Sequence, residues 1–325
     1  MIKKQRTKPL KLLKIELILS RLLPNHKKRN DLDNEYAKLN AGFKGEESLD
    51  YYLADLKGES FSIFHDLRLP RDKDRYYFFQ IDCLVIHHRF CVLIEVKNLI
   101  GDLYFDHQYD QIKRSRNGIE ETFSDPVNQV EIQKNYLAKW LEANNFPALP
   151  LKTLVVITNP KSYITISPKY GINAQKIIRG KYLVSKIMEY LQKNNGIEVS
   201  NKEIKKLSSI LIKQHTEHNS DILKRYKIQP EDIQTGVTCP KCGEIPMIRR
   251  YGYWFCSNCS LKSKDAHIQA IKEYALLFKQ VVKNNEIREF LHVKSSTSMK
   301  KLLISMKILP KGNTKSATYK LPLPK

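Results

Sequence analysis

Phe78–Gly101 reads FFQIDCLVIHHRFCVLIEVKNLIG. Phe78–Ile86 and Cys91–Lys97 are rich in β-branched and apolar residues, the composition of largely buried strands, and a turn at His87–Phe90 joins them into a hairpin. With that turn Ile86 pairs with Cys91, and the same register sets Asp82 opposite Glu95. Directly opposed residues have Cβ atoms about 4.5–5.5 Å apart. Lys97 lies two residues past Glu95 and so faces the same side. The spacing predicts two carboxylates and an ammonium converging at one end of a hairpin.

Two carboxylates at that range repel unless a cation or a proton lies between them. Mg²⁺ takes oxygen ligands and keeps several waters. Such an ion polarises a phosphodiester and activates water. A lysine beside it orients or deprotonates that water, or stabilises charge on the phosphate. The competing reading is a Glu95–Lys97 surface salt bridge, with Asp82 merely capping a strand. Three ionisable groups inside such an apolar run weigh against it, because charges are rarely buried without purpose.

Asp82, a hydrophobic strand, then Glu95-Val96-Lys97 resembles the D…ExK core of the PD-(D/E)xK nuclease superfamily. GEE at Gly45–Glu47, QIDCLVI at Gln80–Ile86, IEVKNLIG at Ile94–Gly101 and DPVNQV at Asp125–Val130 are similar to the nuclease-related domain called NERD. The resemblance covers roughly residues 37–165 and extends toward 195. It implies a restriction-endonuclease-like mixed β-sheet flanked by helices. It also implies a metal-dependent nuclease in which Asp82 and Glu95 hold Mg²⁺ or Mn²⁺ and Lys97 orients the water. Glu46 would approach the metal from the first helix, and Gln129 would face the site as a neutral hydrogen-bonding group. A short strand pair would occupy the polar stretch after the hairpin.

The chain has 325 residues, enough for two or three domains. Its 56 Lys and Arg against 34 Asp and Glu give a net charge of +22. That excess favours a polyanionic partner, most often nucleic acid, although a generically basic proteome would give the same balance. Cys83 and Cys91 sit on the hairpin strands as small buried residues. Cysteine usage fits a reducing cytoplasm better than a disulfide framework. No Walker loop, dinucleotide fingerprint or Ser/His/Asp order stands out.

Met1–Asn30 is strongly basic, and Leu10–Leu23 within it has a helical pattern. It is too short and too charged to span a bilayer, and it lacks the apolar core of a secretory signal. It could lie on an anionic membrane, touch nucleic acid, pack on the domain or fray as a terminus. Ala37–Leu56 reads as a helix with Glu46 and Glu47 early in its regular part, where the helix dipole alone would also favour acids. Phe61–Leu67 reads as the first strand of the sheet, and Arg68–Arg75 as a charged loop placed to touch a phosphate backbone. Asp125-Pro126 starts a helix over Val127–Asn144, with Asp at the N-cap and Pro at N1. Leu154–Thr158 is a further strand, Gln175–Ile178 an edge strand and Tyr182–Lys193 a closing helix. After a break at Asn194-Asn195-Gly196 come helices at Lys202–His218 and Asp221–Tyr226. His215 and His218 stand at i and i+3, but a pair falls short of the usual metal-ligand count, and solvent exposure is the better reading.

CPKCGEIPMIRRYGYWFCSNC, Cys239–Cys259, holds Cys-x2-Cys, thirteen residues, then Cys-x2-Cys. Four thiolates give the closed tetrahedral shell of a structural Zn²⁺, the pattern of a zinc ribbon. A redox dithiol would need only one pair. The spacer supplies short strands at Met247–Arg250 and Tyr253–Cys256. Arg249, Arg250, Tyr251, Tyr253 and Trp254 would project from it for phosphate contact and base stacking, unless the aromatics fill the ribbon's own small core. Beyond it, Ala266–Lys283, Asn285–Leu291 and Ser295–Met306 read as three helices. ILPKGNTKSATYKL then offers two strands around the turn cluster Lys311-Gly312-Asn313. Helix–turn–helix plus a basic wing resembles a winged helix, with Lys300 and Lys301 available to a duplex.

The expected organisation is a basic segment (1–36), a nuclease-like domain (37–195), a helical connector (196–235), a zinc ribbon (236–262) and a winged-helix-like α+β module (263–325). The expected protein is a cytoplasmic nuclease without a transmembrane segment, cutting DNA in repair, processing or defence. The alternatives are a protein that binds nucleic acid without cutting it, and an adaptor whose basic surface binds an acidic protein.

Overall fold

A computed structural model describes residues 1–56, 60–71, 76–194, 198–312 and 317–324. Residues 72–75 of the charged loop before the hairpin, Asn195 and Gly196 of the expected break, and Asn313 of the turn cluster lie outside the described residues. The chain divides into two compact units, Met1–Pro9 with Ala37–His218 and Leu10–Tyr36 with Asn219–Lys325.

The first unit contains β1 (Ile2–Lys4), β2 (Ser62–Pro70), β3 (Phe78–His87), β4 (Phe90–Lys97), β5 (Gly101–Asp106), β6 (Gln111–Arg116), β7 (Ile119–Ser124), β8 (Leu151–Ile157), β9 (Ser162–Ile166) and β10 (Ile177–Arg179). Helix α1 (Leu10–Arg21) belongs to the second unit, and α2 (Arg29–Leu53) passes from the second into the first after Tyr36. The first unit also holds α3 (Pro126–Ala143), α4 (Leu183–Lys193) and α5 (Asn201–Gln214).

The main sheet has the order β1-β2-β3-β4-β8-β10. β2, β3 and β4 are antiparallel neighbours, whereas β1 joins β2, β8 joins β4 and β10 joins β8 in parallel. β4 is buried at every residue but its last. A strand bonded on both edges and covered on both faces reads as one apolar run. Alternation assigns the faces. Cys91 and Leu93 pack in the layer with Val130, Leu137 and Leu141 of α3, while Val92, Ile94 and Val96 pack with Leu49 and Leu53 of α2 and Ile187 of α4. The hairpin register is the expected one, Ile86 with Cys91 and Cys83 with Ile94. Its closing pair is His87 with Phe90, so the turn has two residues, His88-Arg89, in place of the four expected.

Several elements differ from expectation. α2 begins at Arg29, not Ala37, so Glu46 lies deep inside the helix, far from the N-terminal dipole that would have explained it. Residues 101–124 form three strands, and β9 adds to them in a second sheet of order β7-β6-β5-β9. His215 is not solvent-exposed. Its Nδ1 accepts from the Arg68 N–H at 3.1 Å, the Thr216 N–H reaches the Arg68 carbonyl at 3.0 Å, and burial holds the imidazole down at about 4. His218 is exposed as expected. α3 starts as its sequence dictates, with the Asp125 carboxylate accepting from the Val127 N–H at 2.8 Å and Pro126 in the first turn.

In the second unit follow α6 (Ile222–Tyr226), β11 (Ile248–Arg249), β12 (Trp254–Phe255), β13 (Lys262–Ser263), α7 (Ala266–Leu277), β14 (Val281–Lys283), α8 (Asn284–Phe290), α9 (Ser296–Ser305), β15 (Pro310–Lys311) and β16 (Thr318–Lys320). The helix expected over Ala266–Lys283 stops at Leu277, and β14 joins the wing in a sheet of order β14-β16-β15. One apolar cluster holds Cys239 and Trp254 of the ribbon together with Ala270, Phe290, Leu303 and Tyr319 behind it. α1 buries Leu12, Ile15 and Ile18, and its fully buried Arg21 donates to Glu273 at 3.0 Å and to the Gln234 carbonyl at 2.8 Å. Such a charge stays inside only when paired and hydrogen-bonded. Among the described residues no helix is long and apolar enough to cross a membrane.

Candidate functional site

The β3–β4 ladder runs as far as Cys83 and Ile94. One step further, the Val96 N–H donates to Asp82 Oδ2 at 2.9 Å, so a carboxylate takes the place of a backbone carbonyl. Glu95 is 2 % exposed and both its oxygens are engaged. Lys97 Nζ donates to Oε1 at 2.6 Å, and Gln133 Nε2 donates to Oε2 at 3.0 Å. Lys97 Nζ also reaches Gln129 Oε1 at 3.1 Å. The structure thus brings Asp82, Glu95, Lys97 and Gln129 together as expected. Gln133 was missed. It stands four residues after Gln129 and so shares its helix face, where it is a polar, buried residue within the stripe of Val130, Leu137 and Leu141. A lone amide in such a stripe is the signal that could have found it.

Glu46 comes to the site from α2, and Gly45 makes its approach possible. A Cβ at position 45 would lie 2.3 Å from Asn98 Cβ and 3.1 Å from Thr158 Oγ1, directly after the Glu95-Val96-Lys97 triplet. The Glu46 carboxylate accepts from Arg6 Nη1 at 2.7 Å. Burial pushes its carboxyl up to about 7 against the pull of Arg6, with Asp66 and Glu95 adding to the rise. Burial pushes Asp82 well above the usual carboxylate range, and Glu95 and Glu46 push it further.

Carboxylates gathered at the end of β4 fit a hard cation with oxygen ligands. Asp82 and Glu95 could hold a divalent cation. Glu46 does not complete a three-carboxylate cage with them, since among the described residues the four cysteines are the group of three or more potential ligands that comes together. Arg6 has drawn the Glu46 carboxylate to itself.

The ligand atoms of Cys239, Cys242, Cys256 and Cys259 all lie within 4.8 Å of one another, with Cys239–Cys259 at 3.6 Å and Cys242–Cys256 at 3.5 Å. Four sulfurs at about 2.3 Å from a tetrahedral Zn²⁺ would be about 3.8 Å apart, so the cluster fits that ion. Burial raises the Cys239 thiol, but the N–H groups of Cys242 and Lys241 outweigh it and bring the thiol down to about 7.

The ribbon's other residues divide. Trp254 is fully buried and its Nε1–H donates to His267 Nδ1 at 3.2 Å, so it fills the core and does not project toward a ligand. The expectation that it stacks on bases is corrected: packed in the apolar cluster with Cys239, Cys256 and Ala270, the ring has no face left for a base. Arg249 is half-buried, with its guanidinium 5.1 Å from the Trp254 ring centre. Arg250 and Tyr251 are exposed, and Tyr253 is half-buried beneath Lys262. Lys300 and Lys301 are exposed on α9.

Residues 41–158 match the family described as NERD, nuclease-related domain. No curated protein and no solved structure matches the chain. The matched span takes in Gly45, Glu46, Asp82, Glu95, Lys97, Gln129 and Gln133, and leaves out Arg6 and the four clustered cysteines. Residues 41–158 of this chain, which carry the carboxylate–lysine site, are thus similar to the nuclease-related domain.

Proposed function

We propose that the chain is a metal-dependent nuclease that hydrolyses phosphodiester bonds, with DNA as substrate and a structural Zn²⁺ in the cysteine cluster. The observation that supports it most is the meeting of Asp82, Glu95 and Lys97 at the end of β4 inside the nuclease-related segment. A bound Mg²⁺ or Mn²⁺ would supply Lewis-acid polarisation of the phosphodiester. Asp82 and Glu95 would hold it, and Gln133 keeps Glu95 aimed by occupying its second oxygen. Lys97, steadied by Gln129, presents an ammonium to orient the attacking water or to balance charge on the phosphate. Arg249, Arg250, Tyr253, Lys300 and Lys301 supply cations and a ring for the backbone and bases of the nucleic acid. The net charge of +22 favours the same class of partner.

The test is cleavage of single- and double-stranded DNA and RNA with Mg²⁺ or Mn²⁺. Asp82→Ala, Glu95→Ala and Lys97→Ala should each lose about 10²–10³-fold or more in rate, as removal of a transition-state contact does. Affinity for the same nucleic acid should hold within about threefold, because attraction spread over many phosphates does not depend on one site. Wild-type cutting by Glu95→Ala would refute the assignment. A wild type that binds nucleic acid yet cuts none of the panel would turn the reading to a binding protein.

A further inference from the structure

Arg6 lies outside the family match, yet it ends in the acidic site. β1 delivers it. Ile2–Lys4 joins the edge of the main sheet beside β2, and Lys4 Nζ fastens the strand by donating to the His65 carbonyl at 2.8 Å. Two residues later the Arg6 side chain turns inward and is only 4 % exposed. Its Nη1 donates to Glu46 Oε2 at 2.7 Å, and its Nη2 to Asp50 Oδ1 at 3.2 Å and to His65 Nδ1 at 2.8 Å. A guanidinium only donates, so His65 Nδ1 accepts and the imidazole proton sits on Nε2, 3.6 Å from Asp50. Acceptors from α2 and β2 therefore fix this one cation from several directions.

We propose that Arg6 is a second resident cation of the acidic site beside Lys97: it takes up Glu46 and so limits the cluster to a single divalent ion, held by Asp82 and Glu95. The first ion rests on the nuclease reading; the exclusion of a second rests on Arg6. Sites that hold two metals keep them about 3.5–4 Å apart and need carboxylates free to serve both. Glu46 is the nearby acid that could serve a second ion, since Gly45 beside it packs against Asn98, the residue directly after the Glu95-Val96-Lys97 triplet. Its carboxyl is already taken up by the Arg6 guanidinium, whose positive charge repels an approaching divalent ion. Displacing the guanidinium would leave a buried charge without its partners, which the protein resists. Arg6 is thus a positioning residue: it touches Glu46, and Glu46 is kept out of the metal's own ligand set.

The experiment titrates Mn²⁺ into the zinc-loaded full-length chain without nucleic acid, reading free Mn²⁺ by electron paramagnetic resonance. The expected result is one Mn²⁺ per chain for the wild type and for Arg6→Lys, and two for Arg6→Gln. Should Arg6→Gln fail to fold, Glu46→Gln carries the test, because it should still bind one Mn²⁺ with affinity within about threefold of wild type, as expected when no direct ligand is lost. One ion in a folded Arg6→Gln, two in the wild type, or loss of the ion in Glu46→Gln each overturns the proposal. A wild type that binds no Mn²⁺ overturns the metal-dependent reading as well, whereas one ion in both wild type and folded Arg6→Gln removes only the role of Arg6.

Discussion

A glycine inside a helix costs roughly 0.5–1 kcal/mol relative to alanine. α2 carries two, Gly42 and Gly45. At Gly42 a Cβ would meet nothing within 4 Å, so Gly42→Ala should stabilise the protein by about that amount. At Gly45 the added atom would lie 2.3 Å from Asn98 Cβ. That neighbour is the root of a side chain tied at both ends, with Nδ2 on the Ala41 carbonyl at 2.7 Å and Oδ1 accepting from Asn159 at 3.0 Å. It cannot swing away, so the backbones must part, and overpacking of this kind costs about 1–3 kcal/mol. Gly45→Ala should therefore lower the urea midpoint while Gly42→Ala raises it. A higher midpoint for Gly45→Ala would refute the close approach. The wording Gly45-Glu46-Glu47 was legible in the sequence, but the reason for its glycine was not, because Asn98 is distant along the chain. Arg6 was illegible for the same reason: in a segment crowded with lysine and arginine, nothing local marks the one that turns inward.

α3 carries the two amides of the site, Gln129 and Gln133, and Glu131 between them holds the helix to its neighbours. Thr153 Oγ1 of β8 donates to Glu131 at 2.5 Å and Lys176 Nζ at 2.9 Å, with Lys134 close by on the helix. Burial works against the charge, yet these hydrogen bonds hold the carboxyl down to about 2. A carboxyl whose folded value lies below its unfolded value of about 4.5 contributes stability above that pH, and the contribution fades as pH falls toward 2. Stability of the wild type should decline through this window, and Glu131→Gln should flatten that part of the curve, as read from denaturant midpoints between pH 5 and 2. Identical slopes in the two proteins would show that Glu131 does not clamp α3. Elements of this length announce themselves, α3 by Asp125-Pro126 and its apolar stripe, β3 and β4 by composition. β1, β13 and β14, of two or three residues each, do not, since so short a strand owes its state to the partner it pairs with.

Across the whole molecule, the four-cysteine ribbon and the C-terminal helices share one apolar cluster. Removing the metal should therefore do more than loosen the ribbon. A strong chelator should deprotect amides throughout residues 236–325 in hydrogen exchange, since structural zinc supplies folding free energy that Trp254 passes on through its packing. Amides of β3, β4 and β8 should stay protected. Exchange confined to residues 239–259 would show that the helices stand without the ion. The Cys-x2-Cys spacing made the metal cluster legible, but not the sharing of its core, which is formed by residues far along the chain. Deletion of the C-terminal part is a poor way to probe it, because Leu10–Tyr36 belongs to the same unit and would lose its partners.

That interleaving has a consequence during synthesis. Arg21 of α1 and its partner Glu273 are 252 residues apart. A ribosome adding about 5–20 residues per second leaves Leu12, Ile15 and Ile18 without their burial for roughly 10–50 s. Strands β2 to β10 of the first unit all emerge within that interval. The nascent chain thus carries an uncovered amphipathic helix while a sheet assembles behind it, and such a helix is a target for a ribosome-bound chaperone.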